Sequence, residues 1–248
     1  MAATSAQRYL AEFLGTFGLL VSVTGAALLS LNLPILDPIS RVMLISFAIG
    51  AGLVGVIYAF GDLSGAHFNP AVTIAMWAAG RFRARDVVPY IVAQLLGGIV
   101  GVAVIAGVAY GSSALWSSAT AAGAALASQG YSGNGSPYTV GAGSVFLLEV
   151  VLTYFLVHVI LFATRSDNSA KNLAPLGIGL TLLMINLLAI PIDGASVNPA
   201  RSFAPALLSV AFAPDRWAIA QNWIFWVAPI VGGLLAAAVE RTLRPKAS

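Results

Sequence analysis

The sequence predicts an all-α membrane protein in which six transmembrane helices and two re-entrant half-helices form an inverted repeat. Three observations predict it. Apolar runs of spanning length recur along the whole chain, two shorter apolar segments each open on Asn-Pro-Ala, and the two halves of the chain repeat one another.

The first observation is compositional. Of 248 residues, 59% are hydrophobic and 8% charged, against roughly 25% charged in an ordinary soluble domain. A bilayer's hydrocarbon core needs roughly 20 apolar residues per helix. Punctuated by Gly, Pro and charges, such runs fall at about 9 to 31, 39 to 60, 87 to 110, 141 to 164, 173 to 191 and 221 to 242. The run after Met1 to Arg8 has no small-residue cleavage site, so it reads as a first span and not as a removed signal. The segments 69 to 79 and 198 to 211 are too short to cross and read as re-entrant. The stretch 111 to 140, rich in Gly, Ser and Ala and without charge, reads as an external connector between repeats at about 9 to 110 and 141 to 242. All of it is expected to form one transmembrane domain, 1 to 248.

The distribution of basic residues orients the spans, because cytoplasmic loops carry the excess of Lys and Arg. Arg8, Arg81, Arg83, Arg85, Arg165, Lys171, Arg241, Arg244 and Lys246 fall on one side, and Arg41 and Arg216 on the other. Both termini are therefore expected in the cytoplasm, as an even number of spans requires. The formal charge of +3 is explained by topology and implies no nucleic acid partner. The chain has no Cys and only two His, His67 and His158. That excludes disulfides and thiolate chemistry, and neither a metal site nor a cofactor is expected. With acids isolated in their spans, an intramembrane enzyme is a poor reading. Against an ion channel or coupled transporter stands Arg201, with no ring of acids along the path, and a structural membrane junction with little transport is a further alternative.

The repeat is the second line of evidence. Gly65-Ala66-His67-Phe68-Asn69-Pro70-Ala71 matches Gly194-Ala195-Ser196-Val197-Asn198-Pro199-Ala200 at five of seven positions, at an offset of 129 residues. Glu12 and Thr16 are echoed by Glu149 and Thr153, and Gly97-Gly98 by Gly232-Gly233. Three spans per repeat is odd, so the halves enter the membrane from opposite sides, and a site forms at the midplane where discontinuous helices meet.

The motifs have a direct physical reading: Asn is a favoured N-cap and Pro a favoured first helical residue. Each Asn-Pro-Ala therefore starts a half-helix whose N-terminus points at the membrane centre. Facing N-termini place roughly half a positive charge apiece at one point, which repels cations. The irregular backbone before each motif, Ser64 to Phe68 and Asp193 to Val197, cannot face lipid and must line water or be buried. Gly65, Ala66, His67, Gly194 and Ser196 are thus expected along a pore as a ladder of carbonyls. A water accepting from both Asn69 and Asn198 would turn its hydrogens outward and break the proton wire. Arg201, a guanidinium at membrane depth, is expected to be functional.

Two such motifs in an inverted repeat resemble the aquaporin (major intrinsic protein) family over nearly the full chain. The resemblance runs from Ala11-Glu12-Phe13 through Ser64-Gly65 and His67 to Thr73, to Ser196 to Ser202 and the tail Phe225-Trp226-Val227, Pro229, Gly232 and Gly233. It is similar to prokaryotic-type water channels, with an atypical selectivity filter. The resemblance implies a passive water channel of the cell (plasma or inner) membrane, a homotetramer, that excludes protons and ions. It also implies a constriction formed by Ile49, Asn186, Ala195 and Arg201. Where strict water channels carry an aromatic, a His, and a Cys or Thr, this chain has Ile49, Asn186 and Ala195, so a relaxed filter leaking small neutral solutes is expected. The alternative is a broader facilitator of glycerol, hydrogen peroxide or ammonia, although Ser202 departs from the Asp typical of glycerol facilitators.

Glu12 and Glu149 are expected to accept from the amides of the re-entrant loops, and His67 to be hydrogen-bonded in the ladder. His158 is expected to pack between helices, and Asp62 and Asp193 to order solvent at the mouths. Trp77, Tyr90, Trp116, Trp217 and Trp223 are expected to anchor at interfaces. Gly15, Gly97, Gly98, Gly177, Gly179, Gly232 and Gly233 are expected to bring helices close. A chain without a thiol has no site for mercurial block. Mercuric chloride is expected to leave water flux of the purified, reconstituted protein unchanged, as light scattering in proteoliposomes would measure.

Overall fold

The computed structural model describes residues 3–121, 125–135, 138–213 and 216–243. Arg244 and Lys246 of the basic set lie outside them. Helices α1 (Ser5–Asn32), α2 (Pro38–Ser64), α4 (Ala84–Tyr110), α6 (Ala142–Ala163) and α7 (Ala174–Asp193) are each long and apolar enough to span a membrane. The sixth span comprises a short α9 (Trp217–Gln221) and α10 (Ile224–Leu243). The half-helices are α3 (Pro70–Ala78) and α8 (Pro199–Ser209), and a further short helix, α5 (Ser113–Thr120), lies in the connector. No strand occurs among the described residues.

Local chemistry sets several helix ends. Thr4 and Gln7 form a capping box at the start of α1. Asp37 caps α2 ahead of Pro38 by accepting from the Ser40 amide at 2.8 Å, a bond that holds its carboxyl below the usual carboxylate range. α2 and α7 both end in a left-handed glycine, Gly65 (φ 87°) and Gly194 (φ 88°), from which the chain turns into the re-entrant loops. α2 runs about a turn beyond the expected end of its span and α7 about half a turn, because the glycines terminate them.

The packing is pseudo-symmetric. α1 packs on α2 and α4, α6 on α7 and α10, and α2 on α7 across the two halves. Each half-helix packs against the last helix of the other repeat, α3 on α10 and α8 on α4. Glycines permit this closeness. A Cβ on Gly97 would stand 2.2 Å from the Phe13 carbonyl oxygen, and one on Gly232 2.3 Å from that of Val150. Their neighbours Gly98 and Gly233 face the backbone of Ala200 and Ala71 at the starts of the half-helices. Gly50 and Gly179 meet across the pseudo-two-fold, each against the other's carbonyl. Gly15 leaves the space that the buried Phe68 ring fills. Gly177 differs from expectation: a Cβ there would meet open space, so it brings no helix close.

Two of the expected interfacial aromatics are core residues instead. Tyr90 is fully buried and donates to the Ser64 carbonyl at 2.8 Å, and Trp217 is buried against Gly130 and Gly135. Trp77 and Trp223 are about half exposed, as interfacial side chains are. Trp116 packs on Tyr110 and Phe212, and His158 stacks on Phe162 and tilts over Tyr154. Arg8 pairs with Asp86 at 3.3 Å, and Arg81 donates to the Leu161 and Thr164 carbonyls, tying the basic segments together at one end of the bundle. Because Gly97 and Gly232 meet backbone, which cannot swing aside, Gly97→Val or Gly232→Val is expected to cost about 3 kcal/mol or more. Loss of the monodisperse peak in size-exclusion chromatography after mild heating would register it.

Candidate functional site

The two re-entrant loops share one backbone conformation. Gly65, Ala66 and Phe68 have φ of 87°, 51° and 47°, and Gly194, Ala195 and Val197 have 88°, 54° and 48°. Left-handed backbone at a residue with a Cβ costs roughly 1–2 kcal/mol, so something must hold it. Two buried carboxylates do. Glu12 accepts from Ser64 Oγ (2.7 Å), His67 N (3.0 Å), Phe68 N (2.7 Å) and Gln94 Nε2 (2.7 Å). Glu149 accepts from Ser196 N and Val197 N, both at 2.8 Å. The His67 ring is held through Nδ1, 3.1 Å from Thr73 Oγ1, and Ser196 Oγ contacts Ser202 Oγ at the equivalent place.

The loops deliver the motifs to one point. Asn69 Oδ1 caps α3 by accepting from Ala71 N, and Asn198 Oδ1 caps α8 by accepting from Ala200 N and Arg201 N. Each amide then donates across to the opposite loop, Asn69 Nδ2 to the Val197 carbonyl at 2.8 Å and Asn198 Nδ2 to the Phe68 carbonyl at 2.9 Å. These crossed bonds lock the half-helices N-terminus to N-terminus. An amide nitrogen has two hydrogens, so each Asn keeps one N–H for the cavity that it lines. Pro70, Ala71, Pro199 and Ala200 are buried in the first turns and are not among the residues that line it.

That cavity has a volume of about 660 Å³ and reaches from Tyr58, Asp62 and Lys171 at the basic end to Arg201. Gly65, Ala66, His67 and Ser196 line it on the way, together with Ile49, Asn186 and Ala195. A second cavity of about 580 Å³ approaches from the other end, lined among others by Arg41, Ala127, Gly194 and again Arg201. Arg201 is the residue common to both, 7% exposed, and so stands where the two meet. It donates to the Ala127 carbonyl at 2.7 Å and the Gly194 carbonyl at 3.3 Å, which fixes the guanidinium and leaves its other N–H groups for the passage. Asn186 donates to the Leu182 carbonyl at 2.8 Å, while its Oδ1 is buried with no protein partner among the described residues. Four residues scattered over α2, α7, a loop and α8 are thereby brought to one cavity. Gly194 lines the outer cavity and not the inner one.

The matching family model, Major intrinsic protein, covers residues 1–240. The chain belongs to the major intrinsic protein family. Among curated relatives, Aquaporin Z of Photorhabdus laumondii is 42% identical over 233 residues, 94% of this chain and 95% of that protein. Aquaporin Z of Rhodopseudomonas palustris is 40% identical over 243 residues, 96% and 94% of the two chains. The X-ray structure of the aquaglyceroporin from Plasmodium falciparum superposes with a TM-score of 0.81 over 97% of each chain at 23% identity, and so shares the fold.

Within this family frame, several contributors escape a reading of the sequence. Gln94 bridges Glu12 and Thr73, a role that only its position beside them reveals. The connector does more than join the repeats, because Ala125, Leu126 and Ala127 turn left-handed and the Ala127 carbonyl accepts from Arg201. Gly130 N donates to the Asp193 carbonyl, and Gln129 is buried beside Gly194. Asp193, expected at a solvated mouth, is fully buried, with Oδ1 accepting from Ala195 N at 2.8 Å. Asp62 is exposed at the inner mouth. Glu12→Leu strands four donors at once, each costing about 1–3 kcal/mol when buried and unpaired. It is expected to lower the thermal midpoint of the detergent-solubilised protein far more than the exposed Asp62→Leu, by fluorescence-monitored melting.

Proposed function

We propose that the chain is a passive water channel of the cell membrane that excludes protons and ions and leaks small neutral solutes. The observation that carries this reading is the pair Asn69 and Asn198, each with one amide N–H left for a shared cavity at the junction of two helix N-termini. A water passing there is offered two donors and no acceptor, and its hydrogens turn toward the carbonyls of the flanking loops. The proton wire breaks at that water, and the half-helix dipoles with Arg201 disfavour any cation. Exclusion by an arginine and facing half-helices is a known device of aquaporin-type pores, applied here to named residues. The relatives called Aquaporin Z support water as the solute.

Ile49, Asn186, Ala195 and Arg201 form the filter in this reading. Ile49 and Ala195 offer no polar side chain, so Asn186, an amide able to give and take hydrogen bonds, and Arg201 are the polar members of the four. That pairing suits a small molecule with a hydroxyl or amine that both gives and takes hydrogen bonds, which supports the broader facilitator of glycerol, hydrogen peroxide or ammonia as a second reading. The basic residues gathered at one end support an arrangement with both termini in the cytoplasm. Membership of the family supports a homotetramer. The chain does no chemistry of its own in this account and uses no cofactor or metal.

Stopped-flow light scattering on proteoliposomes tests the reading. The parent is expected to pass water, hydrogen peroxide and glycerol. Asn186→His combined with Ile49→Phe is expected to keep water flux within about threefold while glycerol flux falls tenfold or more, the latter a loss of about 1.4 kcal/mol in barrier terms. Water flux no faster than in empty liposomes would sink the proposal, and a parent that passes water alone would remove the leak.

A further inference from the structure

One hydroxyl in the first half of the molecule has three hydrogen-bond partners and a single hydrogen to give them. Thr73 Oγ1, on α3, lies 3.1 Å from the Asn69 carbonyl, 2.9 Å from Gln94 Nε2 and 3.1 Å from His67 Nδ1. All four residues are buried. A threonine hydroxyl offers one hydrogen and two lone pairs, so each contact has a direction that can be worked out.

Gln94 comes first. The backbone amides of His67 and Phe68 both point at Glu12, which therefore accepts, and Gln94 turns its amide nitrogen to Glu12 Oε2 at 2.7 Å. The reverse amide would set two oxygens against each other at that distance. Gln94 Nε2 gives one hydrogen to Glu12 and the other to a lone pair of Thr73 Oγ1. The Asn69 carbonyl can only accept, so it takes the Thr73 hydrogen, in the bond a helical threonine commonly makes to the residue four before it. What Thr73 has left for His67 is its second lone pair, so Nδ1 carries the hydrogen of that contact. Were Nδ1 bare, it would need the Thr73 hydrogen, and the two oxygens of Thr73 and Asn69 would stand 3.1 Å apart with nothing between them.

The other ring nitrogen is placed differently. His67 Nε2 has no protein partner among the described residues and is not sealed off from the cavity that His67 lines. The ring packs against Phe82 and Tyr90 at centroid distances of 4.7 Å and 5.3 Å. It stands beside the start of α3, whose partial positive charge disfavours a second proton on the imidazole.

We infer that His67 is held as the neutral imidazole with its hydrogen on Nδ1, and that Nε2 faces the passage as a fixed hydrogen-bond acceptor. Thr73 and Gln94 do not line the cavity; they are positioning residues that act through His67. The second half has no such chain. Ser196 stands for His67, Ser202 for Thr73 and, at the offset of 135 that relates Gly97-Gly98 to Gly232-Gly233, Pro229 for Gln94. The consequence for flux rests on the water-channel reading, whereas the tautomer does not. Water leaving the Asn pair toward the basic end carries its hydrogens forward and meets acceptors, the loop carbonyls and Nε2 alike. A hydrogen on Nε2 would oppose that orientation.

Nitrogen NMR of untagged, 15N-histidine-labelled protein in proteoliposomes at neutral pH decides the tautomer. The His158→Gln background leaves His67 as the one imidazole. The proton is expected on Nδ1, the nitrogen bonded to Cγ, with Nε2 bare. A proton on Nε2, by itself or together with one on Nδ1, overturns the inference. Thr73→Val removes the acceptor, so an Nδ1–H would be left buried and unpaired while an Nε2–H could meet water. That variant is expected to show an Nε2–H signal absent from the parent, and Thr73→Ser, which keeps the hydroxyl, to show the parent's spectrum. A Val variant with the parent's spectrum overturns the role of Thr73, and Thr73→Ala removes the same oxygen should the Val variant not fold. In stopped-flow light scattering the Val variant's water flux is expected to fall about threefold or more, the scale of one lost hydrogen bond, and the Ser variant's to return toward the parent's. Flux unchanged although the proton has moved overturns the part of Nε2 in permeation. A parent that conducts no water overturns the channel reading instead, and the NMR result still stands on its own.

Discussion

Hydrocarbon gives backbone polar groups no partner, and the organisation of the molecule depends on how that constraint is met at its two irregular segments. Residues 65–69 and 194–198 leave the helix in mid-bundle, and past Gly65 and Gly194, whose amides still meet the Gly61 and Ile190 carbonyls, the loop amides have no helical carbonyls to meet. Glu12 and Glu149 answer from the neighbouring long helices, one carboxylate per loop, each spanning two successive amides. A carboxylate is costly within a membrane, and an unpaired amide is costly too; placing one against the other satisfies both. The left-handed residues that orient the loop carbonyls are held by the same bonds.

The half-helices follow from those anchored loops. Asn69 and Asn198 each cap their own helix with the side-chain oxygen and cross to the opposite loop with the nitrogen, so the motif is at once a helix start and the joint between repeats. One N–H per residue is left over, and the cavity is built around those two leftovers. The close approach that brings the half-helices end to end is a matter of volume. Gly97 and Gly232 lie against the backbone of α1 and α6, and Gly98 and Gly233 against the first turns of α8 and α3. A methyl group at the first pair would push a spanning helix outward and pull the two loops apart.

The halves are alike in backbone and unlike in chemistry. His67 with Thr73 in one becomes Ser196 with Ser202 in the other, and Ser64 with Gln94 becomes Asp193 with Pro229. The second half also carries Arg201, and the connector folds inward to hold it through the Ala127 carbonyl. The first cavity therefore ends at a fixed cation on one side only, although the scaffold around it is nearly two-fold.

The sequence by itself determined the six spans, the two half-helices and the inverted repeat, because hydropathy, Asn-Pro capping and the recurring glycines are local signals that need no knowledge of neighbours. It also marked Glu12, Glu149 and Arg201, since charges inside apolar runs stand out in one dimension. Tertiary structure alone decided the partners. Gln94 and Tyr90 look like ordinary members of the third span, Asp193 like a mouth residue, and Ala127 like part of a connector, until folding places them beside Glu12, Ser64, the Ala195 amide and Arg201. The physical reason is that a hydrogen bond depends on where two groups come to lie, and residues 74 or 82 positions apart, as in Arg201 with Ala127 and Gln94 with Glu12, carry no sequence signal of their meeting.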